Sequence, residues 1–313
     1  MQDVQVLVFK LAAIILIAII GYIIASKKIL GEHGKDVTSL ILNRIALPFM
    51  IIATYLKIEL NAEILMNSLY VIVIALLIYT CNYFYSRIMS KRHNLTREQE
   101  SVYINGAVHA NTAFLAFPLL FSVYGEEGLL YATIYYMVDN ILLSTTGIKR
   151  LMPDKSKIKL APVTIALLIS LPIMIISNVL QIDLTNNFIY EAIDDIGVIT
   201  TPLAFLFIGF IIYESKIKEL LLNHHAIKLV IVKMLVIPLV FALVLKALNF
   251  DVEGLILIVA LTQALMPPFS ALLSMSYEYK QDVKMATSLV VLGHLFAIVS
   301  IPLLFTLFVY LFS

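Results

Sequence analysis

Apolar residues gather into ten blocks along the chain, each long enough to cross a bilayer as a helix of roughly 20 residues. The blocks cover residues 4–24, 37–56, 64–88, 102–124, 129–147, 160–180, 193–213, 227–250, 255–276 and 283–311. The polar stretches between them are short and leave no room for a soluble domain. Block seven is the least clean, because Asp194 and Asp195 stand at its start. Block one follows Met-Gln-Asp rather than a positively charged leader region, and it contains no small-residue cleavage site. It reads as a retained helix.

Two blocks are polar in the middle. Block four, VYINGAVHANTAFLAFPLLFSVY, carries Asn105, His109, Asn111 and Thr112, followed by Pro118. Block nine, LILIVALTQALMPPFSALLSMS, carries Gln263 and then Pro267 and Pro268. A proline has no N–H, and its ring crowds the carbonyl four residues back. Pro118 thereby frees the carbonyl of Phe114, and the paired prolines free those of Gln263 and Ala264. In lipid a freed carbonyl is costly unless protein or water satisfies it. The pattern predicts two broken helices, one in each half of the chain, beside a cavity. That is the sequence mark of a transporter's binding site.

Basic residues set the orientation. Lys27, Lys28 and Lys35 follow block one; Arg87, Lys91, Arg92 and Arg97 follow block three; Lys149, Arg150, Lys155, Lys157 and Lys159 follow block five. Lys216, Lys218 and Lys228 follow block seven, and Lys280 and Lys284 follow block nine. The alternate loops are nearly bare, with Lys57 and Lys246 at their edges. By the positive-inside rule the five basic loops face the cytoplasm of a cell membrane. Ten spans then put both termini on the extracytoplasmic side. The halves correspond: Pro48 in block two with Pro202 in block seven, and Pro118 with Pro267 or Pro268. Residues 1–148 form a first five-helix repeat, 149–159 a short cytoplasmic linker, and 160–313 a second repeat. Five spans per repeat make the two inverted.

Composition agrees with an all-α integral membrane protein. Of 313 residues, 61% are hydrophobic and only 14% charged, the mean hydropathy is +0.97 and the formal net charge is +1. No charge excess points to nucleic acid. Cys81 is the one cysteine, which excludes an intramolecular disulfide and a cysteine metal cluster.

The site candidates lie at one depth. Each half-helix that starts after a break presents unpaired N–H groups and about half a positive charge. Two such ends meeting attract an anion such as a carboxylate, with Asn111 and Thr112 as hydrogen-bond donors. The plainer alternative is a pair of structural kinks with no ligand. Asp139, in the middle of block five, is expensive in lipid and so faces a cavity or a cation. Two readings stand: reversible protonation, and static pairing with Arg44 or Lys233, both inside blocks. His109 and His294 are mid-span and can relay protons; the preferred expectation is a neutral ring bonded to a backbone carbonyl. Gln263, Asn111 and Thr112 also offer oxygen ligands for a sodium ion. No metal motif and no cofactor motif is present.

Several of these residues resemble one family. Asn111-Thr112-Ala113-Phe114-Leu115-Ala116-Phe117-Pro118, then Tyr124-Gly125-Glu126-Glu127-Gly128, is similar to the fourth-helix signature of the auxin efflux carrier family. The prolines of block nine, Thr201-Pro202 and Lys233…Pro238 match as well, and the resemblance spans essentially the whole chain. It implies ten helices in an inverted repeat, with helices 4 and 9 crossing around the substrate near the bilayer midplane. It also implies export or exchange of small organic anions, with Asn140 in the pocket, and a scaffold and homodimer surface of helices 1, 2, 6 and 7. The short 149–159 loop is like that of prokaryotic members. Ala113 and Ala116 stand where glycine is common, and Pro-Pro-Phe stands where one proline precedes small polar residues. Both departures touch the proposed pocket, so the substrate's identity does not carry over.

The leading expectation is a secondary active transporter of a small organic anion working by alternating access, with the proton as a possible coupling ion. Sodium coupling, as in the distantly similar bile-acid sodium symporters, is the alternative. A receptor or channel is the reading outside transport; a channel calls for repeated polar rings rather than polar groups at one depth. Nothing resembles a Walker motif or a catalytic constellation, so neither direct ATP drive nor an enzyme is expected.

Overall fold

The computed structural model describes residues 2–31, 33–151, 162–214, 223–248 and 252–312. Most of the expected 149–159 linker lies outside the described residues, as do Lys216 and Lys218. Every regular element among the described residues is a helix, and the β pairing among them is a single antiparallel bridge between Ala110 and Pro268. The helices are α1 (Gln2–Ser26), α2 (Gly34–Lys57), α3 (Ala62–Arg92), α4 (Arg97–Val108), α5 (Thr112–Leu151) and α6 (Pro162–Leu180). They continue as α7 (Phe188–Tyr213), α8 (His224–Ala247), α9 (Gly254–Ala264), α10 (Ala271–Glu278) and α11 (Val283–Phe312).

Seven of these are long and apolar enough to cross a membrane: α2, α3, α5, α6, α7, α8 and α11. Ala12–Ser26 and Gly254–Ala264 are shorter apolar helices. Breaks explain the difference at blocks four, five and nine, whereas block one falls in the unbroken α1, whose apolar stretch is Ala12–Ser26. Block four divides between α4 and α5, and block nine between α9 and α10. Conversely, α5 is a 40-residue run that joins the rest of block four to block five. Within it Gly125 has φ 61° and ψ −145°, a conformation open to glycine and strained for residues with a Cβ, so the run turns there. Helix α7 begins earlier than its block, at Phe188. Asn187 caps it, accepting from the N–H groups of Ile189 and Tyr190 at 3.0 Å each.

The prolines act in two ways. Leu42–Ala46, Thr112–Ala116 and Val232–Val236 are π-turns, and each ends two residues before a proline, respectively Pro48, Pro118 and Pro238. An i→i+5 turn moves the carbonyl that a pyrrolidine ring would strike, so the helix widens and continues. Pro118 therefore does not break its helix. The opening expected there lies upstream, at His109–Asn111. Two consecutive prolines defeat this device, and at Pro267-Pro268 the helix stops.

Two compact units form, each taking segments from both halves of the chain. One comprises residues 1–69, 113–134 and 159–214. In it α1 packs along α7, and α2 packs on α6 and on the first part of α7. Lys57 ends α2 in an ion pair with Glu126 at 3.0 Å and lies 3.6 Å from Asp194. The acidic start of block seven is thus paired at a helix end. The other unit comprises residues 70–112, 135–158 and 215–313. There α11 is the common wall, packed against α4, α8, α9 and α10. This second unit holds most of the expected site.

Candidate functional site

Helix α4 is anchored by a capping box: Thr96 Oγ1 accepts from the Gln99 N–H, and Gln99 Oε1 accepts from the Thr96 N–H. It runs to Val108 and then opens. His109 is extended, with φ −102° and ψ 137°. Ala110 forms an antiparallel bridge with Pro268, and the Asn111 N–H donates to the Pro267 carbonyl at 2.7 Å. On the other strand of this crossing, the Gln263 carbonyl, freed by Pro267, accepts from the Met266 N–H at 3.2 Å. Two interrupted helices thus supply each other's backbone partners, as an apolar surrounding demands. Gly293 of α11 makes room for the crossing. A Cβ there would lie 2.5 Å from Pro268 Cδ and 3.1 Å from Pro267 Cβ.

Polar side chains collect around the bridge. Asn111 Nδ2 is 2.8 Å from His294 Nε2 and 3.2 Å from Ser270 Oγ. His294 Nδ1 donates to the Val290 carbonyl at 2.7 Å. Thr112 is buried at the first turn of α5, and Gln263 is fully buried at the end of α9. The starts of α5 and α10 flank the crossing, each with the positive end of a helix dipole. Pro118 falls in the other compact unit, past the opening.

Beside the crossing lies a charged cluster. His109 is fully buried, and its Nδ1 is 2.8 Å from Asp139 Oδ1. This corrects two expectations. His109 bonds a carboxylate rather than a backbone carbonyl. The direct partner of Asp139 is His109 rather than Arg44 or Lys233, because the opened backbone at 109 turns the ring toward it. Arg44 is exposed in the unit that Asp139 does not belong to. Lys233 is 2% exposed in the π-turn of α8 and has no ion pair within 4.0 Å among the described residues. Asn140 is half-buried next to Asp139. The His109 ring meets Phe269, just past the prolines, edge-on at 5.8 Å. That contact ties the two clusters together.

Sequence reading missed three participants. Ser270 and Gly293 gave no signal, since a serine after Pro-Pro-Phe and a glycine in an apolar helix are ordinary. Arg150 was grouped with a loop of basic residues. It lies instead in the last turn of α5, donating to Tyr79 Oη at 2.6 Å and Thr146 Oγ1 at 2.7 Å, with Asn105 Oδ1 at 3.5 Å. The i, i+4 spacing of Thr146 and Arg150 was available in the sequence, but the helix end was not.

A bundle of apolar helices with interrupted pairs and buried ionisable groups defines a membrane transport protein. The comparison with known families agrees: a family model described as membrane transport protein matches residues 6–161 and 154–305. The chain belongs to this family, the auxin efflux carrier family of the sequence resemblance. No curated protein matches it.

Proposed function

We propose that the protein is a secondary active transporter of a small organic anion, most simply a carboxylate, working by alternating access. The observation that carries this is the crossing of residues 109–111 with 265–270, bridged at Ala110 and Pro268. Two helix starts, Asn111 and Ser270 gather around it. In this reading ten spans form two inverted five-helix repeats in the plasma membrane, with basic loops cytoplasmic and both termini outside. The first compact unit, which holds α1, α2, α6 and α7, is the scaffold and a surface for a homodimer. The second carries the anion site: Asn111, Thr112 and Gln263 at the breaks and Asn140 beside Asp139.

Counterflow of labelled substrate in proteoliposomes tests the reading, run with dicarboxylates, monocarboxylates and indole acids. Saturable counterflow of at least one anion is expected. Passive, non-saturable flux would point to a channel instead. Flux that needs sodium and ignores pH would favour the sodium-coupled alternative.

A further inference from the structure

The amide of Asn111 cannot serve an anion as it stands. Both N–H bonds on Nδ2 have acceptors, one at His294 Nε2 and one at Ser270 Oγ. Chemistry fixes their direction. The Val290 carbonyl only accepts, so the hydrogen of a neutral His294 ring is on Nδ1, and Nε2 is a lone pair that receives the amide N–H. Asn111 Oδ1 then faces away from His294, with no hydrogen bond among the described residues. An acceptor oxygen in that position opposes a carboxylate.

A proton on Nε2 reverses the arrangement. An imidazolium donates from both nitrogens. It cannot accept from Nδ2, so the amide must turn over and offer Oδ1 to Nε2–H. Nδ2 then points where Oδ1 had been, as a donor. The geometry points to His294 Nε2 as the proton-binding site of the protein, filled together with the anion, with the Asn111 amide as the part that turns. This rests on the organic-anion reading above. Imidazolium and carboxylate together are neutral, whereas either alone is costly to bury. Each therefore strengthens binding of the other, and the coupling is reciprocal.

Among the described residues, no carboxylate is bonded to His294 in place of the anion. Among the helices packed on α11, α4 carries Arg97, Glu98, Glu100 and Tyr103, α8 carries His224, His225, Lys228, Lys233 and Lys246, α10 carries Tyr277 and Glu278, and α9 carries no titratable group. His109 and Asp139 are paired with each other. His294 is buried, and its two ring nitrogens meet the Val290 carbonyl and the Asn111 amide.

The test uses the full-length protein in proteoliposomes, with labelled succinate, lactate and indole-3-acetate as probes. For a probe that counterflows, affinity is measured from about pH 5.5 to about pH 8.5, across which histidine changes charge. The expected wild-type affinity weakens about tenfold per pH unit above the titration of His294. His294→Gln should bind more weakly and without that slope. If it does not fold, His294→Asn gives the same readout, since it too carries no group that titrates. A pH-independent wild type overturns the assignment. So does a variant that keeps the wild-type slope, which would move the proton to the His109–Asp139 pair. If none of the probes counterflows, the anion reading fails by itself. The switch is then decided by ¹⁵N spectra of histidine-labelled protein, assigned with His294→Gln. With each probe anion present, a ring gaining a proton at Nε2 on acidification supports it, and a ring still neutral at about pH 5 overturns it.

Discussion

Asn111 and His294 meet at 2.8 Å across 183 residues of chain. The contact exists because α4 opens at His109–Asn111 and because α11 has no side chain at Gly293, next to the histidine.

Gly293→Ala should destabilise the protein. The new Cβ would meet Pro268 Cδ at 2.5 Å, and a proline ring cannot rotate away. Overpacking of this kind costs about 1–3 kcal/mol. A lower thermal unfolding midpoint and weaker counterflow are expected. An unchanged midpoint would show that the crossing slides freely.

The two proline sites should differ. Pro118 lies past a π-turn that already accommodates it, so Pro118→Ala is expected to leave anion affinity nearly unchanged. Pro268→Ala acts at the bridge itself and restores an N–H that lets the helix continue. Loss of a helix start facing an anion is worth about 0.3–2 kcal/mol, or up to roughly thirtyfold in affinity at about 1.4 kcal/mol per tenfold. Equal losses from both variants would contradict the placement of the opening.

Asn111→Ala removes the side chain yet keeps the backbone N–H that bonds Pro267. Folding should survive while anion binding weakens. A hydrogen bond to a charged group contributes about 1.5–3 kcal/mol, hence about ten- to a hundredfold in the dissociation constant. Calorimetry with a transported anion measures it, and a variant that binds like wild type removes Asn111 from the site.

Asp139 offers a separation of charge from hydrogen bonding. Asp139→Asn still accepts from His109 Nδ1, whereas Asp139→Leu leaves a buried ring unpartnered on that side. Breaking a buried pair costs about 3–5 kcal/mol, so the leucine variant should be the less stable in thermal unfolding. Lys233→Met should recover part of the loss in either background, with a coupling of about 0.5–3 kcal/mol in a double-mutant cycle. No coupling would detach Lys233 from the cluster. If Asp139 is instead the proton carrier, Asp139→Asn will abolish pH-driven transport and spare exchange.

The Lys57–Glu126 pair gives a pH signature away from the membrane core. Burial, the largest influence on Glu126, pushes its carboxyl up, but its backbone hydrogen bond and Lys57 together hold it below the ordinary carboxylate value. A depressed carboxylate adds stability above its unfolded pKa and loses it as pH falls through the folded one. Both partners are about a third exposed, so the contribution is only about 0.2–1 kcal/mol. Glu126→Gln should be less stable than wild type by that amount near neutrality, with the difference gone below about pH 3. A difference that persists in acid would assign the effect to packing.

Much of the membrane architecture was legible in the chain. Blocks two, three, six, eight and ten locate their helices to within a few residues, and Pro267-Pro268 marks a true break. Block seven was read short because Asp194 looked like an intruder in lipid; its partner Lys57 is far away in sequence. Pro118 misled for a local reason, since a single proline is accommodated by a π-turn as readily as by a break.

Hydrophobicity and tandem prolines are properties of short stretches, so the sequence by itself determined a polytopic helical membrane transport protein. Only the tertiary structure decided where helix four opens. No proline stands at His109–Asn111; the opening is held by the Pro267 carbonyl, the Pro268 bridge and the space beside Gly293. It likewise decided that Asp139 pairs with His109 and that both Asn111 N–H bonds are taken. These contacts join segments far apart in the chain, and their geometry is set by packing that no local pattern encodes.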